Sequence, residues 1–205
     1  MPANNTGAVV RELAARFPDR LGHLFSPGGE RMPFAPVALD NGVFAEGENW
    51  TADGWLNLLD WIKAKRITPE WALVPDVVGD REATLERWRT FEQVAYRYGW
   101  PLAFAVQDGM TPDDVPWSAE VVFIGGSTTW KWRTMASWCA RFPRVHVGRV
   151  NSYRRLWQCH DAGAESCDGT GWMRGDQVQY RGLIAYLEES AGMKQRAEQL
   201  GLVMA

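Results

Sequence analysis

Short apolar runs recur along the chain, and a polar or glycine-rich end closes most of them. They are Val37–Asp40, Trp71–Asp76, Leu102–Gln107, Val121–Gly126, Val145–Val150 and Ala164–Asp168, with a further, earlier run at His23–Ser26. Such mostly apolar runs suit strands covered on both faces of a parallel sheet. Between them the period changes to that of a helix. Trp55, Leu58, Leu59 and Ile62 fall at i, i+3, i+4 and i+7, and Leu85, Trp88, Phe91, Ala95 and Tyr98 follow at steps of three or four. Asp80 is placed to cap the start of the second pattern, and Gly99 with Pro101 to stop it. Segments Thr129–Phe142, Ser152–Ala162 and Gln177–Ser190 also read as helices. This alternation predicts an α/β fold. No linker, repeat or low-complexity stretch divides the chain, so residues 1–205 are expected to form one catalytic domain. Successive strand ends lie as little as 19 residues apart, against roughly 31 per βα unit in an average-sized TIM barrel. The expectation is therefore a small, trimmed, TIM-barrel-like (β/α)8 fold with seven visible strands, and a doubly wound open sheet is its rival.

Composition narrows the class. Of 205 residues 46% are hydrophobic and 23% charged, and twelve Trp and eight Phe supply a core, the balance of an ordinary globular protein. No apolar run approaches the ~20 residues of a membrane span, and no secretory signal layout opens the chain. Three Cys, at 139, 159 and 167, lack both disulfide arithmetic and metal-ligand spacing. A cytoplasmic protein without membrane, metal or cofactor is expected.

The polar groups gather at the strand ends: Asp40, Asp76, Gln107, the Gly125-Gly126 pair, Gly148-Arg149 and Asp168. In a parallel barrel all these ends open on one face, where such enzymes build their sites. Taken singly, Asp76 could cap a helix, and Asp40-Asn41-Gly42 and Asp168-Gly169 could each be a turn. Six in register are harder to dismiss. His146 reads as a hydrogen-bonded residue inside or behind the barrel. Cys167 reads as an apolar filler facing away from Asp168. Ser26-Pro27-Gly28-Gly29 reads as a tight loop.

The ordered set Asp-Asn-Gly-Val-Phe (40–44), Pro-Asp (75–76), Val-Gln-Asp-Gly (106–109), Ile-Gly-Gly (124–126), Pro-Arg-Val-His-Val-Gly (143–148) and Gly-Ala-Glu-Ser-Cys-Asp (163–168) resembles the tRNA-guanine transglycosylase superfamily. The resemblance covers roughly Val37 to Arg174. It implies a TIM barrel that exchanges guanine in a polynucleotide for a free 7-deazaguanine. On that resemblance Asp168 is the nucleophile and Asp40 the general acid/base. Asp76, Gln107, Gly125 and Gly126 read the base, helped by Asn41. Phe44 stacks on one face of the base, Val147 covers the other, and Arg174 matches a basic position of the family. The zinc-binding tail of the tRNA enzymes is missing, and the chain is far shorter. That makes it more similar to the phage-associated deazapurine DNA modification branch, with DNA as the expected partner, tRNA as the runner-up and a preQ0-like base as co-substrate.

The residue types suit that reaction. Breaking a C1′–N9 bond passes through an oxocarbenium-like state that a carboxylate can stabilise and trap. A second carboxylate can protonate the departing base and deprotonate the entering one. The alternatives are a base-releasing glycosidase and a non-catalytic binding module. Charge is uneven: residues 131–181 hold nine Lys or Arg and four Asp or Glu, whereas the whole chain carries −3. Lys131, Arg133, Arg149, Arg154 and Arg174 are thus expected to contact nucleic acid. Trp130 and Trp132 read either as stacking platforms or as core.

Overall fold

The computed structural model describes residues 1, 7–28, 33–34, 36–173 and 176–199, with residues 173 and 194–199 by backbone alone. Seven strands form a single parallel sheet in chain order: β1 (His23–Phe25), β2 (Val37–Leu39), β3 (Ala72–Leu73), β4 (Leu102–Val106), β5 (Val121–Ile124), β6 (Val145–Val147) and β7 (Ser166–Cys167). Every strand pairs with the next, as in Phe25 with Leu39, Val106 with Ile124 and Val147 with Cys167.

The helices are α1 (Ala8–Arg16), α2 (Val43–Glu46), α3 (Ala52–Ala64), α4 (Arg81–Tyr96), α5 (Thr128–Arg141), α6 (Tyr153–Asp161) and α7 (Gln177–Gln199). Local chemistry sets their starts. The Asp80 carboxylate accepts from Ala83 N–H at 3.0 Å, and Thr51 and Ser127 do the same for the first turns of α3 and α5. Each satisfies an otherwise unpaired N–H, an interaction that contributes about 1 kcal/mol. Only a 3-10 turn, Pro112–Asp114, connects β4 to β5, which shortens the chain there.

The sheet is curled, and its two faces have different contents. Leu24, Ala38, Trp71, Leu73, Ala103, Ala105 and Val121 pack together on the concave face with Phe123 and Met1. Their strand neighbours Phe25, Leu39, Phe104, Val106, Ile124 and Val147 face outward, into a core shared with Trp55, Leu59, Ile62, Trp88, Trp138 and Leu187 of the helices. Burial of each such side chain contributes roughly 1.5–3 kcal/mol, so the outer shell carries most of the apolar stabilisation.

Seven strands are seen among the described residues, not the eight of the expected barrel. Beside β7 stands Met1. Its ammonium donates to Cys167 O at 2.5 Å and its carbonyl accepts from Gly169 N–H at 3.2 Å, one rung of a parallel ladder. No helix among the described residues is long and apolar enough to cross a membrane.

Candidate active site

All seven strands point their C-terminal ends at one cavity of about 660 Å3, within the range of small-molecule sites. Its lining includes Asp40, Asn41, Phe44, Asp76, Gln107, Gly125, Gly126, Arg149 and Asp168. These nine residues, predicted from separate motifs, therefore share one mouth.

One wall is a closed network. Asp76 accepts from Asn41 Nδ2 at 2.8 Å through Oδ1 and from Gln107 Nε2 at 2.6 Å through Oδ2. Asn41 also donates to Val74 O and accepts from Val43 N–H. Gln107 Oε1 accepts from Gly79 N–H at 2.9 Å and from Gly126 N–H at 3.1 Å. Burial raises the Asp76 carboxyl, against the Asn41 hydrogen bond and the charges of Arg87 and Arg149. The glycine at 126 is required: φ is +65°, and a Cβ there would lie 2.6 Å from Asp108 Oδ2 and 2.8 Å from Trp130 Cε3.

The other two carboxylates have opposite surroundings. Burial and the neighbouring charge of Asp168 push Asp40 up to about 6, although Ser26 Oγ donates to its Oδ2 at 3.0 Å. Asp168 is 7% exposed. Burial works to raise it. The hydrogen bond from His146, the N-terminal ammonium and the Arg149 N–H outweigh burial and hold the carboxyl below its ordinary range. His146 Nε2 lies 3.1 Å from Asp168 Oδ1, and its Nδ1 lies 2.8 Å from Ser166 Oγ. Burial lowers the imidazole, so it is neutral near pH 7. A carboxylate can only accept, so Nε2 carries the proton and Nδ1 takes the Ser166 hydroxyl.

Arg149 spans the mouth. Its backbone is left-handed (φ +58°), its N–H donates to Asp168 Oδ1 at 3.1 Å, and its guanidinium bonds Gly126 O. The same guanidinium lies 4.6 Å from the ring centroid of Phe44, which is 61% exposed at the rim.

Three expectations need correction. Val147 does not cover the cavity. His146 and Ser166 point inward, so strand alternation turns Val147 outward, fully buried against the helices. Lys131 is not a surface contact for nucleic acid. It is 1% exposed on α5, its Nζ donates to Gly148 O, and burial lowers it to about 8. The lysine thus holds the loop that presents Arg149. Trp130 is buried, and Trp132 is half-buried beneath Arg155, whose guanidinium lies 4.1 Å from the ring centroid. Arg133 and Arg154 are exposed as expected, and Arg174 lies outside the described residues. The motifs did not point to Ser26, Asn151 and Thr170, which also line the cavity. The strand-end rule applied to the first strand would have found Ser26, the donor to Asp40.

No protein-family model matches the chain, and none of the curated proteins does. Solved structures share the fold, two among them as follows. One is described as the native KDPGal structure, at 14% identity and TM-score 0.53, covering 94% of this chain and 92% of that one. The other is a cube-shaped, highly porous cage designed by fusing symmetric oligomeric domains, at 17% identity and TM-score 0.50, covering 98% and 75%. At such identities the likeness concerns the fold alone.

Proposed function

We propose that the chain is a transglycosylase that exchanges guanine in DNA for a free 7-deazaguanine base, on a TIM-barrel-like fold with seven strands among the described residues. The observation that carries the reading is the pairing, in one cavity, of a carboxyl raised to about 6 (Asp40) with one held low (Asp168), beside an amide-and-carboxylate wall. Two carboxyls pushed apart in this way divide acid from nucleophile.

In the proposed reaction an Asp168 oxygen bonds to C1′ as the C1′–N9 bond breaks. Asp40, raised to about 6 and so still protonated in a minority of molecules at neutral pH, gives its proton to the departing guanine. The entering base then loses its N9 proton to Asp40 and displaces Asp168 from C1′, restoring both carboxyls.

Asp76 uses two of its four acceptor positions within the wall, leaving two for the N1–H and N2–H2 of guanine. The base O6 would replace Gln107 Oε1 as acceptor of the Gly126 N–H. Adenine inverts this edge and would leave buried groups unpaired. The base must leave its stack to reach the wall. Around the mouth, half-buried Glu46 and exposed Glu48 stand on the β2 side, and Arg149 and Arg154 lie on the β6 side. The polynucleotide backbone is therefore assigned to the β6–β7 rim.

The test is uptake of labelled guanine into DNA and tRNA, offered separately. Uptake into DNA that is lost in Asp168→Ala supports the reading. Retained exchange in that variant, or an abasic product, overturns it. Uptake into tRNA alone reassigns the polymer.

A further inference from the structure

We infer that His146 is a positioning residue for Asp168, turning its carboxylate so that Oδ2 is the oxygen that attacks C1′. This deepens the proposed function and rests on it.

Two hydrogen bonds converge on Oδ1, from His146 Nε2 and from Arg149 N, each at 3.1 Å. Among the described residues no hydrogen bond falls on Oδ2. The two oxygens are thus unequal before any substrate arrives: one is tied to the wall and the other is left for chemistry. The imidazole that does the tying is itself fixed. Ser166 Oγ holds Nδ1 from the neighbouring strand, and the rings of Phe123 and Trp71 lie 4.8 Å from the imidazole centroid, one stacked and one edge-on. With no exposed surface, the ring has no room to turn. Strand order makes the arrangement possible. His146 pairs with Ser166, and Asp168 follows two residues later on the same face.

Each step gains from this asymmetry. As the Oδ2–C1′ bond forms, charge leaves the carboxylate and Oδ1 becomes a carbonyl oxygen, which still accepts from both donors. When the entering base displaces Asp168, negative charge returns and the same two N–H groups receive it without reorganising. His146 keeps its proton throughout.

The residue can be dissected by substitution. In Gln the Nε2 atom stands near the place of the imidazole Nε2. In Asn the amide reaches only as far as Nδ1, and Leu has no donor. Single-turnover formation of the covalent protein–DNA adduct is measured for wild type, His146→Gln, His146→Asn and His146→Leu, with urea unfolding to check each fold. The Gln variant should react within about fivefold of wild type. Asn and Leu should slow by about 100-fold, with half-saturating DNA concentration little changed, as expected of a misplaced nucleophile. A Leu variant as fast as wild type, or a folded Gln variant as slow as Leu, would overturn the assignment.

A second readout needs no activity. The Asp168 carboxyl, followed by 13C NMR, should titrate higher in His146→Leu than in wild type and return toward wild type in His146→Gln. The other charges around it, from Asp40, Lys131, Arg149 and the N-terminal ammonium, are the same in all variants. An unmoved titration sinks the role of His146, whereas a wild-type protein that forms no adduct with any nucleic acid sinks the transglycosylase reading.

Discussion

Replacing Asp40 by Asn should make the protein more stable, and only above a definite pH. In the folded chain the Asp40 carboxyl is raised from 3.8 to about 6 by burial and by the charge of Asp168. The folded state therefore holds this proton more tightly than the unfolded state does. Ionising the group costs folding free energy above pH 6, and the cost disappears as the pH falls toward 4. A shift of about two units corresponds to about 3 kcal/mol at pH 7.5. Partial exposure at the mouth screens some of this, leaving about 1–3 kcal/mol. Asn keeps an acceptor for Ser26 Oγ and removes the charge. In a chain of this size the gain corresponds to a rise of roughly 2–10 °C in melting temperature. Urea unfolding of both proteins at pH 7.5, 6 and 4 measures it. The variant should lead at pH 7.5 and draw level at pH 4. A variant no more stable than wild type at pH 7.5, or ahead by the same margin at every pH, would refute the reasoning. Asp168→Asn supplies the opposite case. Its carboxyl is held below the ordinary range, so the charge is favoured in the fold, and its loss should destabilise at pH 7.5.

Other outcomes follow from the same geometry. Gly126→Ala forces a Cβ against Asp108 Oδ2 and Trp130 at a positive φ, so it should lower stability by about 1–3 kcal/mol in urea unfolding. Lys131→Met removes the buried ammonium that bonds Gly148 O; it should weaken the Arg149 loop, read as faster amide exchange at residues 148–150, without changing the salt dependence of the proposed DNA binding. Arg154→Glu, on the exposed start of α6, should instead reduce that salt dependence by about one counterion. Trp117 is 97% exposed, and Trp117→Ser should alter stability by less than about 0.5 kcal/mol.

The strand frame could be read from the chain because its signals are local. All seven runs became strands, each shorter than its run, so that Trp71–Asp76 became Ala72–Leu73 and left Asp76 at the mouth. Asp80 caps α4 as expected, and helix ends agree within a residue or two except at α7, which extends to Gln199. Helix α1 gave no recognised signal: Gly7 at its start makes no side-chain cap, and only Val10 and Leu13 are buried. Helix α2 has four residues, too few to show a period. The grouping of strand-end residues was legible; their partners were not. That Val147 faces outward depends on which way β6 is turned, and a stretch reading Val-His-Val leaves this open until His146 is seen against Asp168. Lys131 lies in a run of alternating tryptophan and charge that looks like a binding surface. A helix turns such a run through every direction, and position 131 falls on the side facing the sheet.

Asp76 deserves its place at the centre of the wall for mechanical reasons. One carboxylate joins the loops after β2, β3 and β4 by gripping an amide on each side. The amide from the β2 loop belongs to Asn41, next in the chain to Asp40. On the proposed chemistry, recognition and proton delivery therefore hang from a common hinge pin. A substitution at 76 meant to admit a different base would also loosen the neighbouring acid, so a change of preference would have to be accompanied by a new brace for Asn41.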